Sequence, residues 1–156
     1  MAALCDEIRA VIDAPEFVTL ATLGPDGRAR LTVVWAKTDG DDILVSTTTD
    51  TVKYRDIQRD PRVSLLAYPK EQPYTYVTIH GAASATTTGG GELIQDLSRR
   101  YTGGPYTFDS PDKVRVVIRI APTKAVYSDP SSRRARSKRR DSGSPATTHP
   151  ASTNRR

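Results

Sequence analysis

The chain has 156 residues, 37% hydrophobic and 26% charged, with 23 Lys/Arg against 18 Asp/Glu and a formal net charge of +5. One cysteine (Cys5) and two histidines (His80, His149) exclude a disulfide framework and a four-ligand Cys/His zinc site within one chain. No run approaches the roughly 18 consecutive apolar residues of a membrane span, and Met1–Ala14 carries Asp6, Glu7 and Arg9 where a secretory leader needs an apolar stretch, so a cytoplasmic setting is expected.

Leu4, Ile8, Val11 and Ile12 recur at helical spacing before Pro15, which predicts a short amphipathic helix with Cys5 small and half-buried in it. The period then changes to two. Residues 17–23 run into the turn Gly24-Pro25-Asp26-Gly27, and residues 28–36 alternate beyond it, which makes a hairpin. A second turn at residues 39–42 leads to a strand over 43–48, so three strands are expected to follow one another as a meander. Residues 49–60 break the pattern: Asp50 can cap, Val52 and Ile57 can face inward, and Asp60-Pro61 ends a short helix.

A strand is predicted over 63–68 and a long one over 74–87, passing through Gly81, where a bulge or a close backbone approach fits. The three glycines 89–91 read as a connector into a helix over 92–101, whose Leu93, Ile94 and Leu97 form one apolar face. They match neither phosphate-loop pattern. Two closing strands, 114–120 and 124–127, follow. Many strands, short helices and no βαβ alternation predict a mainly β chain with short helices, a small antiparallel barrel or sandwich.

After Tyr127 the sequence contains no Leu, Ile, Val, Phe, Trp or Tyr. Residues 129–156 hold eight Lys/Arg and two Asp/Glu, a net of +6, whereas residues 1–128 hold 15 and 16, a net of −1. The overall charge therefore belongs to a basic tail with no apolar surface to offset its ordering entropy, and disorder is expected there. Weak, non-specific polyanion binding by Arg133–Arg140 is expected at low salt.

The strongest chemical signal lies at residues 46–55. Three or four hydroxyls (Ser46, Thr47, Thr48, Thr49) end a strand, a helix begins, and Lys53 and Arg55 stand in or just after its first turn. Backbone N–H groups, hydroxyls and fixed cations are what a phosphate ester needs, although the same residues also make a capping turn with solvated cations. Trp35, Tyr74 and Tyr76 offer flat surfaces that could accompany a phosphate site and support a planar tricyclic ring. His80 shares a strand side with Tyr76 and Thr78; no nucleophile context or second ligand accompanies it.

Four stretches resemble a known family in order and spacing: Leu20-Ala-Thr-Leu-Gly-Pro-Asp-Gly-Arg-Ala-Arg-Leu-Thr-Val-Val-Trp35, Asp41-Asp-Ile-Leu-Val-Ser-Thr-Thr48, Lys53-Tyr-Arg-Asp-Ile-Gln-Arg-Asp-Pro-Arg-Val-Ser-Leu65 and Arg99-Arg-Tyr-Thr-Gly-Gly-Pro-Tyr106. They are similar to the pyridoxamine 5′-phosphate oxidase-like split β-barrel proteins. Within these, the likeness is to the B-group flavin/deazaflavin oxidoreductases, which use the 8-hydroxy-5-deazaflavin coenzyme F420. The resemblance spans about residues 3–128 and leaves the tail without a counterpart.

It implies a homodimeric split β-barrel over 1–128 with cofactor sites between subunits, and an F420H2-dependent reductase that passes a hydride to a conjugated carbonyl, quinone or tetrapyrrole-like acceptor. Carried over by position, Thr32, Val33, Val34 and Trp35 would support the ring through backbone groups. Ser46, Thr47 and Thr48 would hold the ribityl and phosphate end, with Lys53 on the phosphate and Arg55 beside it. Tyr76, Thr78 and His80 of the second subunit would approach the ring's polar edge, His80 as a candidate proton donor. Arg55, Arg59 and Arg62 are available to the oligoglutamate tail of F420. Two positions depart from the family pattern: many relatives carry Asn near Asp56 and Arg at the position of His80. FMN in the same fold, as an oxidase or reductase, is the nearest alternative; a cofactor carrier or a non-enzymatic anion-binding protein is the alternative of another class.

Overall fold

The computed structural model describes residues 2–131; the expectation of disorder for the basic tail lies, from residue 132 onward, outside the described residues. Ten elements follow in order: α1 (Asp6–Asp13), β1 (Val18–Leu23), β2 (Ala29–Val34), β3 (Ala36–Asp39), β4 (Asp42–Thr48), α2 (Val52–Arg59), β5 (Arg62–Ala67), β6 (Tyr76–Thr86), α3 (Gly90–Thr102) and β7 (Arg115–Ser128). All seven strands join one antiparallel sheet in the order β2-β1-β5-β6-β7-β4-β3.

That order corrects the meander. The alternation over 28–36 is divided at Trp35: β2 pairs with β1 at one sheet edge, while β3 pairs with β4 at the other. Val34 and Ala36 are two positions apart, a reach of about 7 Å, so the opposite edges must come together at Trp35. The sheet accordingly curls into a split barrel. Its interior is an aliphatic cluster that includes Leu20, Ile43, Val45, Leu65, Ile79, Ile118 and Ile120. Ile8 and Ile12 of α1 enter the same cluster, and the Asp13 carboxylate accepts from the Thr38 amide at 2.7 Å and the Thr38 hydroxyl at 2.6 Å, fixing α1 to β3.

The two closing strands are one, β7, irregular at its middle. His80 pairs with Lys124 and Gly81 with Pro122, which leaves Thr123 as an extra residue. The bulge and close approach expected at Gly81 are both present: a Cβ there would lie 2.5 Å from the Ala121 carbonyl oxygen. A second, smaller cluster lies outside the barrel, where Leu93 and Leu97 of α3 pack on Leu44 and Val117 beside Trp35 and Tyr101.

Three local expectations are corrected. The cap of α2 is Thr51, whose side chain accepts from the Tyr54 amide, because Asp50 is drawn instead to Lys113 and the Thr48 hydroxyl. Ile57 faces inward but Val52 is exposed. Cys5 occupies the exposed N-cap position of α1, without a side-chain capping bond, instead of lying half-buried within the helix. Among the described residues no helix is long and apolar enough to cross a membrane, and no group of three or more His, Cys, Asp or Glu could hold a metal ion.

Candidate functional site

Where the sheet edges meet, the β2 end and α3 border a cleft of about 210 Å³. Phe17, Val33, Val34 and Trp35 form one wall, Ile94, Leu97 and Tyr106 another, and Ser46, Lys53 and Arg115 the polar end. Trp35 is the corner residue between β2 and β3. Its indole stacks on Tyr101 with centroids 5.2 Å apart and an interplanar angle of 17°, and Tyr106 meets it edge-on at 6.3 Å. Tyr101 is held in turn by its hydroxyl, which donates to the Glu16 carbonyl at 2.8 Å and accepts from the Ala36 amide at 3.1 Å. Burial pushes the Tyr101 hydroxyl above the usual tyrosine range.

The polar end is cationic. Lys53, in the first turn of α2, is half-buried and makes no ion pair among the described residues. Burial, and then the neighbouring Arg115 charge, push its ammonium below the usual lysine value. Arg115 opens β7, opposite Thr48 in the β4 ladder. Its Nε and Nη2 donate to the two Asp109 oxygens at 2.6 and 2.8 Å, its guanidinium lies 4.7 Å from the Tyr106 ring centre, and Nη1 reaches Ser46 Oγ at 3.4 Å. The Arg115 bond holds the Asp109 carboxyl below the usual carboxylate range, so Asp109 is an anion at neutral pH. Two cations crowded at one end of a cleft, one lacking a counter-ion among the described residues, have the charge to receive an anion.

The residues singled out from sequence divide into four groups. Val33, Val34, Trp35, Ser46 and Lys53 line the cleft. Thr47 and Thr48 are buried beside it, but their hydroxyls serve the α2 entry: Thr47 bonds Thr51 at 2.9 Å and Thr48 donates to Asp50 at 2.5 Å. Thr32 lies opposite Leu20 and does not line the cleft. Arg55 is exposed and two residues further along α2, about 200° around the helix from Lys53. Arg59 is engaged with Asp56 and the Leu23 carbonyl, and Arg62 with Asp60.

Tyr76, Thr78 and His80 occupy another surface, the outside of β6. His80 is exposed, with Nδ1 2.7 Å from Ser64 Oγ, and borders a separate depression with Arg62, Ser64 and Thr123. Cross-strand pairing sets Val33, Thr19, Leu66, Thr78 and Val126 in one row across this face, with Leu31, Ala21, Ser64, His80 and Lys124 in the next. Asp56 is buried, accepting from Thr22 Oγ1 at 2.9 Å and Arg59 at 3.0 Å with Arg30 at 3.6 Å. Sequence reasoning missed Phe17, Tyr106 and Arg115 as cleft residues, and read Ile94 and Leu97 only as the apolar face of a helix. Tyr106 ends one of the four stretches that carried the resemblance; nothing local marked Arg115.

Residues 4–129 match the family model described as pyridoxamine 5′-phosphate oxidase. Among solved structures, an F420 reductase is 30% identical, with a TM-score of 0.68 over 76% of this chain and 94% of that one. A conserved hypothetical protein from Mycobacterium tuberculosis is 28% identical, with a TM-score of 0.67 over 97% and 96%. A protein from Listeria innocua, of the same oxidase description, shares the fold at 21% identity and a TM-score of 0.62, over 78% and 95%. A comparison with curated proteins finds no match.

Proposed function

From the premise that the chain belongs to the pyridoxamine 5′-phosphate oxidase family, we propose that it is a homodimeric oxidoreductase that uses coenzyme F420 to reduce an unsaturated small molecule. The observation that carries the reading is Lys53: a half-buried cation without an ion pair among the described residues, beside Arg115 and Ser46, at the end of a cleft walled by Val33–Trp35. This donor set fits the phosphate end of a flavin or deazaflavin, and the apolar wall fits its ring. The similarity to an F420 reductase favours the deazaflavin over FMN.

When bound, reduced F420 supplies a hydride to a conjugated carbonyl, quinone or tetrapyrrole-like acceptor. The protein's part is to bind, orient and exclude water. Lys53 and Ser46 would hold the phosphate, the β2 backbone and Trp35 would support the ring, and Phe17 and Tyr106 would border it. His80 of the second subunit is the candidate proton donor through its ring nitrogen.

The size of the cleft and the outer surface support the reading of a second subunit. A cleft of about 210 Å³ is smaller than the roughly 300–1,000 Å³ of a complete cofactor pocket. Leu31 and Val33 are 68% and 66% exposed on the outer face, beside the exposed Leu66 and Val126, and such an apolar patch marks an interface. Seating a second copy there brings Tyr76, Thr78 and His80 toward its partner's cleft.

The test is to titrate the purified protein with F420 and follow cofactor fluorescence, alongside the Lys53→Ala variant. Saturable binding that weakens at least about tenfold in the variant, the loss of one charge-assisted hydrogen bond of about 1.5–3 kcal/mol, supports the reading. Unchanged affinity removes Lys53 from the phosphate. A protein purified yellow, with a flavin spectrum, replaces F420 by FMN.

A further inference from the structure

Arg115 enters the cleft already oriented. Asp109 takes its Nε and Nη2 edge with both carboxylate oxygens, Tyr106 lies against its face, and the remaining Nη1 group reaches Ser46. A guanidinium presents five N–H donors in a fixed fork, so the edge held by Asp109 directs the free edge into the cleft. Asp109 also sets the charge there. Lys53 and Arg115 contribute two positive charges and Asp109 removes one. The adjacent Lys113–Asp50 ion pair is neutral as a unit, and Arg55 does not line the cleft. The polar end is therefore singly positive.

Resting on the reading of this cleft as a cofactor-phosphate site, we propose that Arg115 is a second phosphate ligand and Asp109 its positioning residue. Together they make the cleft selective for a singly charged phosphodiester over a doubly charged phosphomonoester. A phosphate that carries a further chain, as in F420, has one ionisable oxygen and one negative charge. A terminal phosphate, as in FMN, carries between 1.5 and 2 near neutral pH, and the surplus charge would meet the Asp109 carboxylate across Arg115. Like charges at a partly buried site disfavour each other strongly, whereas the single charge is matched.

The experiment holds the ring constant and changes only the phosphate. Quenching of Trp35, the one tryptophan in the chain, is followed as wild-type protein is titrated with FMN, with the methyl ester of FMN on its phosphate, and with F420. The same titrations are made on Asp109→Asn and Arg115→Gln. The wild type is expected to bind the methyl ester at least about tenfold more tightly than FMN, because esterification removes the second phosphate charge that Asp109 disfavours. Asp109→Asn is expected to abolish that preference by strengthening FMN, and Arg115→Gln to weaken every ligand. Equal or tighter wild-type binding of FMN overturns the proposal while leaving the cofactor cleft standing, as does a preference unaltered in Asp109→Asn or unchanged affinities in Arg115→Gln. Binding of none of the three overturns the cleft and the proposal together. The wild-type comparison decides alone should a variant fail to fold.

Discussion

Tyr101 and Trp35 lie nearly parallel, ring centres 5.2 Å apart, while the Tyr101 hydroxyl reaches past the indole to the backbone at Glu16 and Ala36. One side chain of α3 thus braces the corner where the sheet edges meet. In Tyr101→Phe the stack is retained and the hydroxyl lost, leaving the part-buried Ala36 amide without its partner. The variant is expected to lose about 1–3 kcal/mol in urea unfolding, with a changed near-ultraviolet dichroism from Trp35.

Asp56 forms the tightest knot between α2 and the β1–β2 hairpin. Burial opposes its ionisation, yet the hydrogen bonds from Arg59 and Thr22, with the charge of Arg30, hold its carboxyl below the usual range. A pKa lower in the folded than in the unfolded chain stabilises the protein at pH above the unfolded value, about 3.9, and that contribution is lost as pH falls through the folded one. Asp56→Asn is expected to cost about 1–3 kcal/mol at neutral pH and to flatten the acid limb of stability against pH below about 4. An acid limb as steep as that of the wild type would show that Asp56 does not contribute to it.

The outer face is tested by charge. Leu31→Glu combined with Val126→Glu places acids on the exposed apolar rows of β2 and β7 without touching the barrel interior or lining the cleft. Sedimentation is expected to show a dimer for the wild type and a monomer for the variant, with cofactor affinity falling in parallel. Unchanged mass would move the interface elsewhere.

Gly81 tests the bulge. A Cβ there would sit against the Ala121 carbonyl oxygen, a fixed backbone atom. Gly81→Ala is expected to cost about 1–3 kcal/mol by overpacking, read from the thermal midpoint. Gly91→Ala, where a Cβ meets nothing within 4 Å, is expected to be neutral or stabilising.

Phosphate binding is expected to weaken as pH rises through the lowered value of Lys53, since only the ammonium attracts the anion. Trp35 quenching by F420 from pH 7 to 10 measures this. Lys53→Arg, whose charge persists across that range, is expected to remove the decline.

Much of the fold was legible because alternation and turn chemistry are local. The break at Trp35 was not, because Val34 and Ala36 are both buried in the barrel and the period of two passes through the corner unbroken. Lys53 was legible from its neighbours, a hydroxyl-rich strand end and a helix start. Arg115 was not: it reaches the cleft through the pairing of Thr48 with Arg115, a register across 67 positions that neither segment encodes alone. Thr47 and Thr48 had the right chemistry in the right place, but a helix entry nearby needed their hydroxyls first.

The extra residue at Thr123 reverses parity along β7. Before it the even positions Val116, Ile118 and Ile120 fill the barrel; after it the even position Val126 is outside and Ala125 packs inward. One strand can therefore seal the interior and aim Arg115 at the cleft with its first half, then expose Val126 on the outer face with its second. Removing Thr123 would act as a reading-frame error in space, leaving every residue of the second half intact and turning each to the wrong side.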